Sequence, residues 1–503
     1  MTTVIELDGK SLTVKQVSAV ANGERTEASN AGLERMARSN AIVLRAVDNA
    51  TPVYGVTTGL GAKATQSLTR EEATEFAVKA IRGRAHAIGK PLPRSVVRAA
   101  MALRLNSLLT GSSGAAPAIA THIKSCLNAD LIPSIGETAS VTVADLLWGG
   151  SFGLAMIGEG RFLDQPDNKT GQDLLAEAGI PQVPLGPRDG LALASHNSFS
   201  TAFATLGHYR ASNICQAAQT AAALTLEGFR GSLTPFNADV IATRRQPGQA
   251  ESARDLLAKL DGSELHQPGA ARHLQDPLSL RNTAQIHGTV YAALANLEDT
   301  LLGELNGASD NPVVIPSTET ILSGGGYLNP HLGTMLVALN YALVQMAAEI
   351  VARSSKLLIN RLTDLPNGLS SDAANVTGFS PTAKISEALF AEVAQLATPP
   401  IIYPTAMQEG VEDIVSNYTV AAKALNTLTD RMSQLIAIEM ILATHAIHLR
   451  GIASNIAPRL RPIVNQILSV SPPPTEDRSL SVEIDTIANW IRNGDFSEIS
   501  DHA

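Results

Sequence analysis

The sequence predicts an all-α protein, and three observations support that prediction. Of the 503 residues, 45% are hydrophobic but only 4% are aromatic, and alanine and leucine recur throughout the apolar segments. These two residues are good helix formers, whereas strands favour β-branched and aromatic residues. Between residues 286 and 305, apolar residues recur every three or four positions, which is the spacing of one helix face. We therefore predict a loop-rich N-terminal region followed by a bundle of long helices.

Turn-forming strings divide the first 200 residues into short apolar segments. Glycine, proline and serine favour turns because they allow or preset unusual backbone angles. One helix is predicted to begin at Thr69, where Thr69-Arg70-Glu71-Glu72 forms a capping box. The turn-forming strings lie at 54–63, 89–93, 110–114, 132–137 and 147–153.

The helical patterns become longer after residue 200. Several are apolar around most of their circumference, which indicates burial in a bundle or in a subunit interface. We expect three domains: an N-terminal active-site domain (1–200), a central long-helix bundle (201–470) and a C-terminal helical tail (471–503). Besides 286–305, helical patterns cover 203–229, 334–363, 384–397, 417–450 and, after a proline triplet, 481–493.

Composition limits the partners and the compartment. A net charge of −9 provides no positive field that would collect nucleic acid. The two cysteines, Cys126 and Cys215, cannot build a disulfide framework, and the absence of a CxxC pair argues against a metal site. Polar residues interrupt the longest apolar stretches, 335–352 and 435–449, and the N-terminal segment lacks the apolar core of a secretory signal. We expect a cytoplasmic protein that binds neither nucleic acid nor a membrane.

Nine longer strings, in order from about residue 50 to 450, resemble the histidine/phenylalanine ammonia-lyase family. The resemblance implies an all-α fold and a homotetramer with active sites shared between subunits. It also implies removal of an α-amine and a β-proton from an amino acid. The strings are YGVTTGLG (54–61), RLNSL (104–108), IGEG (157–160), GLAL (190–193), QDP (275–277), ELN (304–306), SGG (323–325), GF (378–379) and QE (408–409).

The chain departs from the family at the prosthetic group. Family members cyclise an internal Ala-Ser-Gly into the electrophile methylideneimidazolone. Here the triad is Thr142-Val143-Ala144 when counted back from IGEG and Ser140-Val141-Thr142 when counted forward from Pro133. The nearest string, Ala139-Ser140-Val141, has a β-branched valine where glycine would suit the compressed turn. We therefore expect no methylideneimidazolone and no other cofactor.

The resemblance assigns roles to four retained positions. Tyr54 is expected to be the catalytic base that removes the β-proton. Arg281 is expected to clamp the substrate carboxylate bidentately, with Asn311 as a second polar partner. Glu409 is expected to contact the substrate ring, with Glu412 as its competitor because QEGVED is two residues longer than the family string.

Other expected site residues occupy altered pocket strings. Lys384, just after Gly378-Phe379, is expected to act in catalysis by stabilising negative charge on the substrate. His196, Asn197 and Tyr327 are expected to contact substrate, with a structural role as the alternative for the histidine. Arg84 lies near a position where relatives have a pocket histidine. Arg244 and Arg245 are expected to form a solvated loop pair.

Loss of the electrophile leads to a specific expectation about the reaction. A quaternary trimethylammonium leaves as neutral trimethylamine and has no lone pair for an electrophile to capture. The main prediction is therefore elimination of trimethylamine from a betaine amino acid, most specifically of ergothioneine to thiourocanate. One alternative is a conventional histidine or aromatic amino acid ammonia-lyase or aminomutase. A second alternative is a catalytically inactive helical binding protein.

Overall fold

The computed structural model describes residues 4–59, 65–370, 376–397, 404–473 and 476–496. The last two residues of the YGVTTGLG string, Leu60 and Gly61, lie outside the described residues, as does Pro474 of the proline triplet. The chain divides into two compact units. The first comprises Met1–Tyr209, Glu298–Leu336 and Pro400–Lys423, and the second comprises Arg210–Leu297, Val337–Pro399 and Ala424–Ala503.

Helices dominate the described residues, so the predicted all-α class is confirmed. The helices are α1 (Val14–Ala21), α2 (Asn30–Asp48), α3 (Arg70–Arg82), α4 (Arg94–Leu109), α5 (Pro117–Asn128), α6 (Leu146–Met156), α7 (Gly171–Glu177), α8 (Asp189–Ala194), α9 (Ser198–Phe229), α10 (Ala238–Ala242), α11 (Gln249–Lys259), α12 (Leu278–Arg281), α13 (Thr283–Leu305), α14 (Pro330–Leu357), α15 (Asn360–Thr363), α16 (Thr382–Leu396), α17 (Tyr418–Arg450), α18 (Arg461–Val470) and α19 (Ser481–Asn493).

Helix starts follow from local chemistry. Thr69 caps α3 as its string predicts: its hydroxyl accepts from the Glu72 amide at 3.2 Å, and the Glu72 carboxylate accepts from the Thr69 amide at 2.8 Å. The predicted long helices correspond to α9, α13, α14, α16 and α17, with ends shifted by a few residues. Such shifts are expected where apolar spacing fades before the helix ends.

Short strand pairs, which the sequence reading did not predict, connect helices of the first unit. Val4–Leu7 pairs with Arg25–Ala28 in parallel, and the other three pairs are antiparallel. These are Ile88–Pro91 with Gly136–Thr138, Val313–Ile315 with Thr320–Leu322, and Pro404–Met407 with Glu412–Ile414.

Glycines allow close helix crossings in the first unit. A Cβ on Gly190 of α8 would lie 2.0 Å from the Ala77 carbonyl oxygen of α3. A Cβ on Gly150 of α6 would lie 2.4 Å from the carbonyl carbon of Arg84. No side chain fits at either point, so the two glycines fix how closely α3, α6 and α8 pack. The end of α3, and with it Arg84, is positioned by this packing.

The second unit contains a fully buried ionic network. The Arg353 Nε donates to Glu439 Oε1 at 2.6 Å, and its Nη1 lies 2.9 Å from Glu349 Oε2. His287 Nε2 is 3.1 Å from the same Glu349 oxygen. Buried charges are tolerated where they are paired in this way.

Among the described residues, two helices, α14 and α17, are long and apolar enough, by length and composition, to cross a membrane. In α17, 83% of the most apolar window is buried inside the fold, and in α14 the share is 50%. Buried core helices of globular proteins pass the same test, so these two segments are weak evidence for a membrane protein.

Candidate active site

A cavity of about 540 Å³ in the first unit brings together polar side chains from distant parts of the sequence. Pockets of this size suit small organic ligands. Among the predicted site residues, Tyr54, Asn311 and Tyr327 line it, and Glu412, the competitor of Glu409, lines it too. The remaining lining is Gly83, Arg84, His86, Val143, Ala144, Leu146, Leu147, Leu191, Ser195, Ser323 and Val411.

Tyr54, Arg84 and Glu412 form the charged part of the wall. Tyr54 lies in the turn after Val53, and Arg84 follows the end of α3, where its Nη1 donates to the Ala80 carbonyl at 3.1 Å. Burial lowers the pKa of Arg84, while Tyr54 and Glu412 act in the opposite direction. Burial raises the pKa of Glu412, and Arg84 opposes that rise. The cavity therefore offers a phenol, a cation and a carboxyl group with raised proton affinity.

Hydrogen bonds hold Asn311 by its side-chain oxygen and Tyr327 by its backbone carbonyl. Asn311 Oδ1 accepts from the Gly324 amide at 3.0 Å, so its Nδ2 is left to donate. The Tyr327 carbonyl accepts from Asn197 Nδ2 at 2.8 Å. Asn197 does not line the cavity but supports the backbone of a residue that does.

A buried ionic cluster anchors the segment that carries Asn311. Arg104 donates to both Asp310 oxygens, at 2.9 and 3.0 Å, and Arg188 Nη2 donates to Asp310 Oδ1 at 3.2 Å. Arg188 also donates to the Pro312 carbonyl at 3.1 Å. Although burial alone would raise the pKa of Asp310, the two arginines hold it below its usual value. The RLNSL string, through Arg104, is thus joined by buried ion pairs to the segment Asp310-Asn311-Pro312.

The segment 142–145, of which Val143 and Ala144 line the cavity, has an unusual backbone. Thr142, Ala144 and Asp145 have φ values of 59°, 58° and 41°. Such left-handed angles cost energy for residues other than glycine and persist only where neighbouring contacts enforce them. Here the Thr142 hydroxyl bonds the Thr419 hydroxyl at 2.8 Å, and the Ala144 carbonyl accepts from the His196 amide at 2.9 Å.

Asp145 is fully buried behind that wall. Its carboxyl accepts from the Ser140 hydroxyl and, at 2.8 Å each, from the amide and the hydroxyl of Ser200. Burial nevertheless raises the pKa of Asp145 to about 6. These contacts fix the start of α6, which follows Asp145 directly.

His196 is buried and does not line the cavity. Its Nε2 lies 3.1 Å from the Leu193 carbonyl and its Nδ1 accepts from the Ser198 amide at 3.3 Å. The ring stacks on Phe199 and meets Phe152 edge-on, with centroids 5.9 Å away in both cases. Burial lowers the pKa of His196 to about 3, so the imidazole is neutral. Both nitrogens are therefore engaged by the protein.

Besides His196 and Asn197, three more predicted site residues lie outside the cavity lining. Glu409 is exposed in the turn between the strands Pro404–Met407 and Glu412–Ile414. Arg281 belongs to the second unit, where it lines a separate groove with Leu278. Lys384 also belongs to the second unit and is exposed on the first turn of α16.

Arg84, Ser195 and the backbone wall at 143–144 were not among the predicted site residues. Arg84 had only its position relative to a family histidine as a signal. Ser195 stands beside His196 and Asn197, so the correct string was identified but not the residue that faces the cavity. Among the described residues, no three His, Cys, Asp or Glu side chains are grouped to hold a metal ion.

Comparison with known proteins supplies the family. Residues 12–468 match the family described as aromatic amino acid lyase. A relative named histidine ammonia-lyase from Anaeromyxobacter dehalogenans (strain 2CP-C) is 33% identical over 500 residues, which is 97% of this chain and 98% of the relative. The structure resembles ergothionase from Treponema denticola, with a TM-score of 0.92, 26% identity and coverage of 99% and 100% of the two chains. It also resembles histidine ammonia-lyase from Trypanosoma cruzi, with a TM-score of 0.90, 26% identity and coverage of 99% and 95%.

The predicted elimination of trimethylamine from ergothioneine is wrong. Relatives from several bacteria that match nearly the whole chain are named histidine ammonia-lyase, whereas ergothionase is a structural neighbour at 26% identity. The prediction inferred a substrate from one altered triad, and a missing electrophile does not by itself specify the leaving group. Lys384, which was expected to stabilise negative charge on the substrate, is exposed in the described fold and adds no support.

The matches agree with one another and with the order of the sequence strings. The family description covers most of the chain, and the named relatives cover almost all of it. The sequence motifs, the fold and the comparisons therefore agree: the protein is a carbon–nitrogen lyase and belongs to the aromatic amino acid lyase family.

Proposed function

We propose that this protein is an amino acid ammonia-lyase that acts on histidine or a related aromatic amino acid. The observation that carries the proposal is the joint presence of Tyr54, Arg84, Asn311 and Glu412 in one cavity. A phenol can remove a proton, a cation and an amide can hold a carboxylate, and a carboxyl group can bind a ring N–H. The reaction is loss of the α-amine and a β-proton, which leaves an α,β-unsaturated acid.

Each polar group has a role in this proposal. Tyr54 is the proposed base that takes the β-proton. The C–H electrons form the new double bond, and the ammonium nitrogen leaves as neutral ammonia. Arg84 and the Asn311 Nδ2 hold the carboxylate in place, which orients the β-carbon toward the base. Glu412 accepts the N–H of an imidazole ring. Ser195 and Tyr327 supply hydroxyl groups in the same wall.

We also propose that the chain forms no methylideneimidazolone, because the residues in the wall do not fit the group. The cavity is lined by Val143 and Ala144, and a valine has no hydroxyl to lose in forming a methylidene. The alternative triad begins at Ala139, and its Ser140 hydroxyl donates to Asp145 and accepts from the Thr142 amide at 2.8 Å. We derive no step through such a group.

We also propose that the protein is a cytoplasmic homotetramer whose active sites are shared between subunits. Its support is the family resemblance, together with the partial exposure of Arg281 and the exposure of Lys384, which leaves both side chains accessible to another copy. Mixing the Tyr54→Phe and Arg281→Met variants tests it, because Arg281→Met should lose activity only if Arg281 acts in the site of another copy. If sites are shared, subunit exchange restores part of the activity. An Arg281→Met variant with wild-type activity, or a mixture that gains none, would contradict the shared site.

The reaction is tested with a substrate panel. The purified protein is incubated with L-histidine, L-phenylalanine and L-tyrosine, and ammonia and the conjugated acid are measured. Ammonia from at least one of them, with a matching amount of unsaturated acid, supports the proposal. A β-amino acid product would indicate an aminomutase instead. Release of an amine only from N-trimethylated substrates would overturn the ammonia-lyase assignment.

The prosthetic group is tested separately by intact mass. Ring formation removes two waters from the chain, so an unmodified mass is expected. A mass lower by two waters would overturn the proposal about residues 139–144 without affecting the reaction type.

A further inference from the structure

A second cavity, of about 770 Å³, lies entirely within the second unit. Its floor is apolar: Phe236, Ile241 and Ala253 are buried, and Leu257 is half-buried. None of its lining residues lines the cavity of the first unit, and the proposed reaction does not use it. Its size is sufficient for an organic molecule as large as a typical drug-sized ligand.

Three arginines surround the apolar floor. Arg244, Arg245 and Arg254 line the cavity, whereas Glu251 is the one acid in its lining. Within the described ranges, none of the three guanidinium groups has an ion-pair or hydrogen-bond partner. The formal charge of this wall is therefore positive in a chain whose net charge is −9. Such a wall favours an anion.

Polar groups that lack partners point to the same ligand chemistry. Gln249, at 5% exposure, lines the cavity, and its side-chain amide has no partner within the described part of the chain. It begins α11, and Gly248 at the cap has no side chain to bond the first helical amides. Unsatisfied amides at a helix start attract negative charge.

We propose that this cavity binds an amphipathic organic carboxylate, with its apolar body on Phe236, Ile241 and Leu257 and its carboxylate at the arginines and Gln249. Charge complementarity selects an anion, and the apolar floor selects one with a hydrocarbon or aryl body over inorganic phosphate. An alkyl carboxylate and an arylacrylate share this chemistry. The inference does not depend on the proposed reaction.

The test uses the full protein and calorimetric titration with decanoate, with 1-decanol as the uncharged counterpart and (E)-cinnamate as the aryl counterpart. Saturable binding of either carboxylate is expected, and the tighter of the two identifies the source of the ligand. The Arg244→Gln/Arg245→Gln variant should weaken binding about tenfold or more, because two of the three positive charges that line the cavity are removed. Arg361→Gln, an exposed arginine of the same unit outside the cavity, should leave binding unchanged.

Several results would overturn the proposal. These are no carboxylate binding at millimolar concentration, equal binding of decanol, or equal binding by the double variant. If a second copy of the chain covers the cavity, the double variant should have a changed oligomeric mass and the wild type should bind no carboxylate. That result would also overturn the proposal. Because the arginines are exposed, the variants should fold, and circular dichroism verifies that they do.

Discussion

Removing the charge of Asp310 should destabilise the first unit and displace Asn311. In the structure this carboxylate is 0% exposed and faces two arginines, Arg104 at 2.9 Å and Arg188 at 3.2 Å. An Asp310→Asn change leaves two guanidinium groups buried without a counter-charge. Breaking a buried pair in this way costs about 3–5 kcal/mol. That is a large share of the roughly 5–15 kcal/mol that stabilises a typical domain.

A surface pair in the same unit provides the matched control. Arg45 and Glu319 are 3.0 Å apart, with side chains 54% and 68% exposed. Glu319→Gln should cost less than about 1 kcal/mol, because solvent screens an exposed pair. The two variants therefore differ in burial of the lost charge while the chemical change, carboxylate to amide, is the same.

Tryptophan fluorescence makes the assay specific to the first unit. The chain has two tryptophans: Trp148 is buried in the first unit and Trp490 lies in the second. Urea unfolding in a Trp490→Phe background therefore follows Trp148. A loss of several kcal/mol for Asp310→Asn with little change for Glu319→Gln is expected. Equal, small effects of both changes would refute the reasoning that the cluster anchors the Asn311 segment.

Three further predictions follow from the site and its supports. Glu412→Gln should raise KM for histidine about tenfold or more, as for a lost hydrogen bond to a charged group. Glu409→Gln should not, because the Glu409 carboxylate is exposed outside the cavity. Equal effects of the two changes would contradict the placement of Glu412 in the cavity. His196 has a pKa of about 3 in the folded protein, which is below its unfolded value. The unfolded chain therefore binds the extra proton, and stability falls as the pH drops from about 6.5 toward 3. Unfolding of His196→Gln, followed by Trp148 fluorescence, should depend less steeply on acid pH, and an unchanged slope would contradict the prediction. Gly150→Ala should lower activity and stability because its Cβ would lie 2.4 Å from Arg84, whereas Gly303→Ala in α13, with nothing within 4 Å, should be neutral or slightly stabilising in thermal unfolding.

The long helices could be predicted from the sequence because their apolar spacing is a local property. The spacing between residues 286 and 305 already indicates α13, and the capping box at Thr69 already marks the start of α3. The strand pairs could not be predicted in this way, since three- and four-residue strands carry too little alternation to recognise. Their pairing depends on helices that bring the two segments together.

The sequence motifs pointed to some of the residues that line the cavity, but not to those whose position depends on the path of the backbone. Tyr54, Asn311 and Tyr327 line the cavity, but spacing could not choose between Glu409, which lies in a tight turn, and Glu412, which begins the strand after it. The string at 195–197 has the same limitation, because only the backbone path decides that Ser195 faces the cavity and His196 faces Phe199. The substrate was predicted wrongly because one altered triad outweighed the rest of the chain.

The most direct test of the account is the initial rate of ammonia release from L-histidine by the wild type, Tyr54→Phe and Tyr327→Phe. Both tyrosines line the cavity, so the pair separates the base from a hydroxyl that only lines the wall. The account predicts release by the wild type, a loss of about a hundredfold or more in kcat for Tyr54→Phe, as for a removed general base, and a smaller loss for Tyr327→Phe. Ammonia release by Tyr54→Phe at the wild-type rate would contradict it.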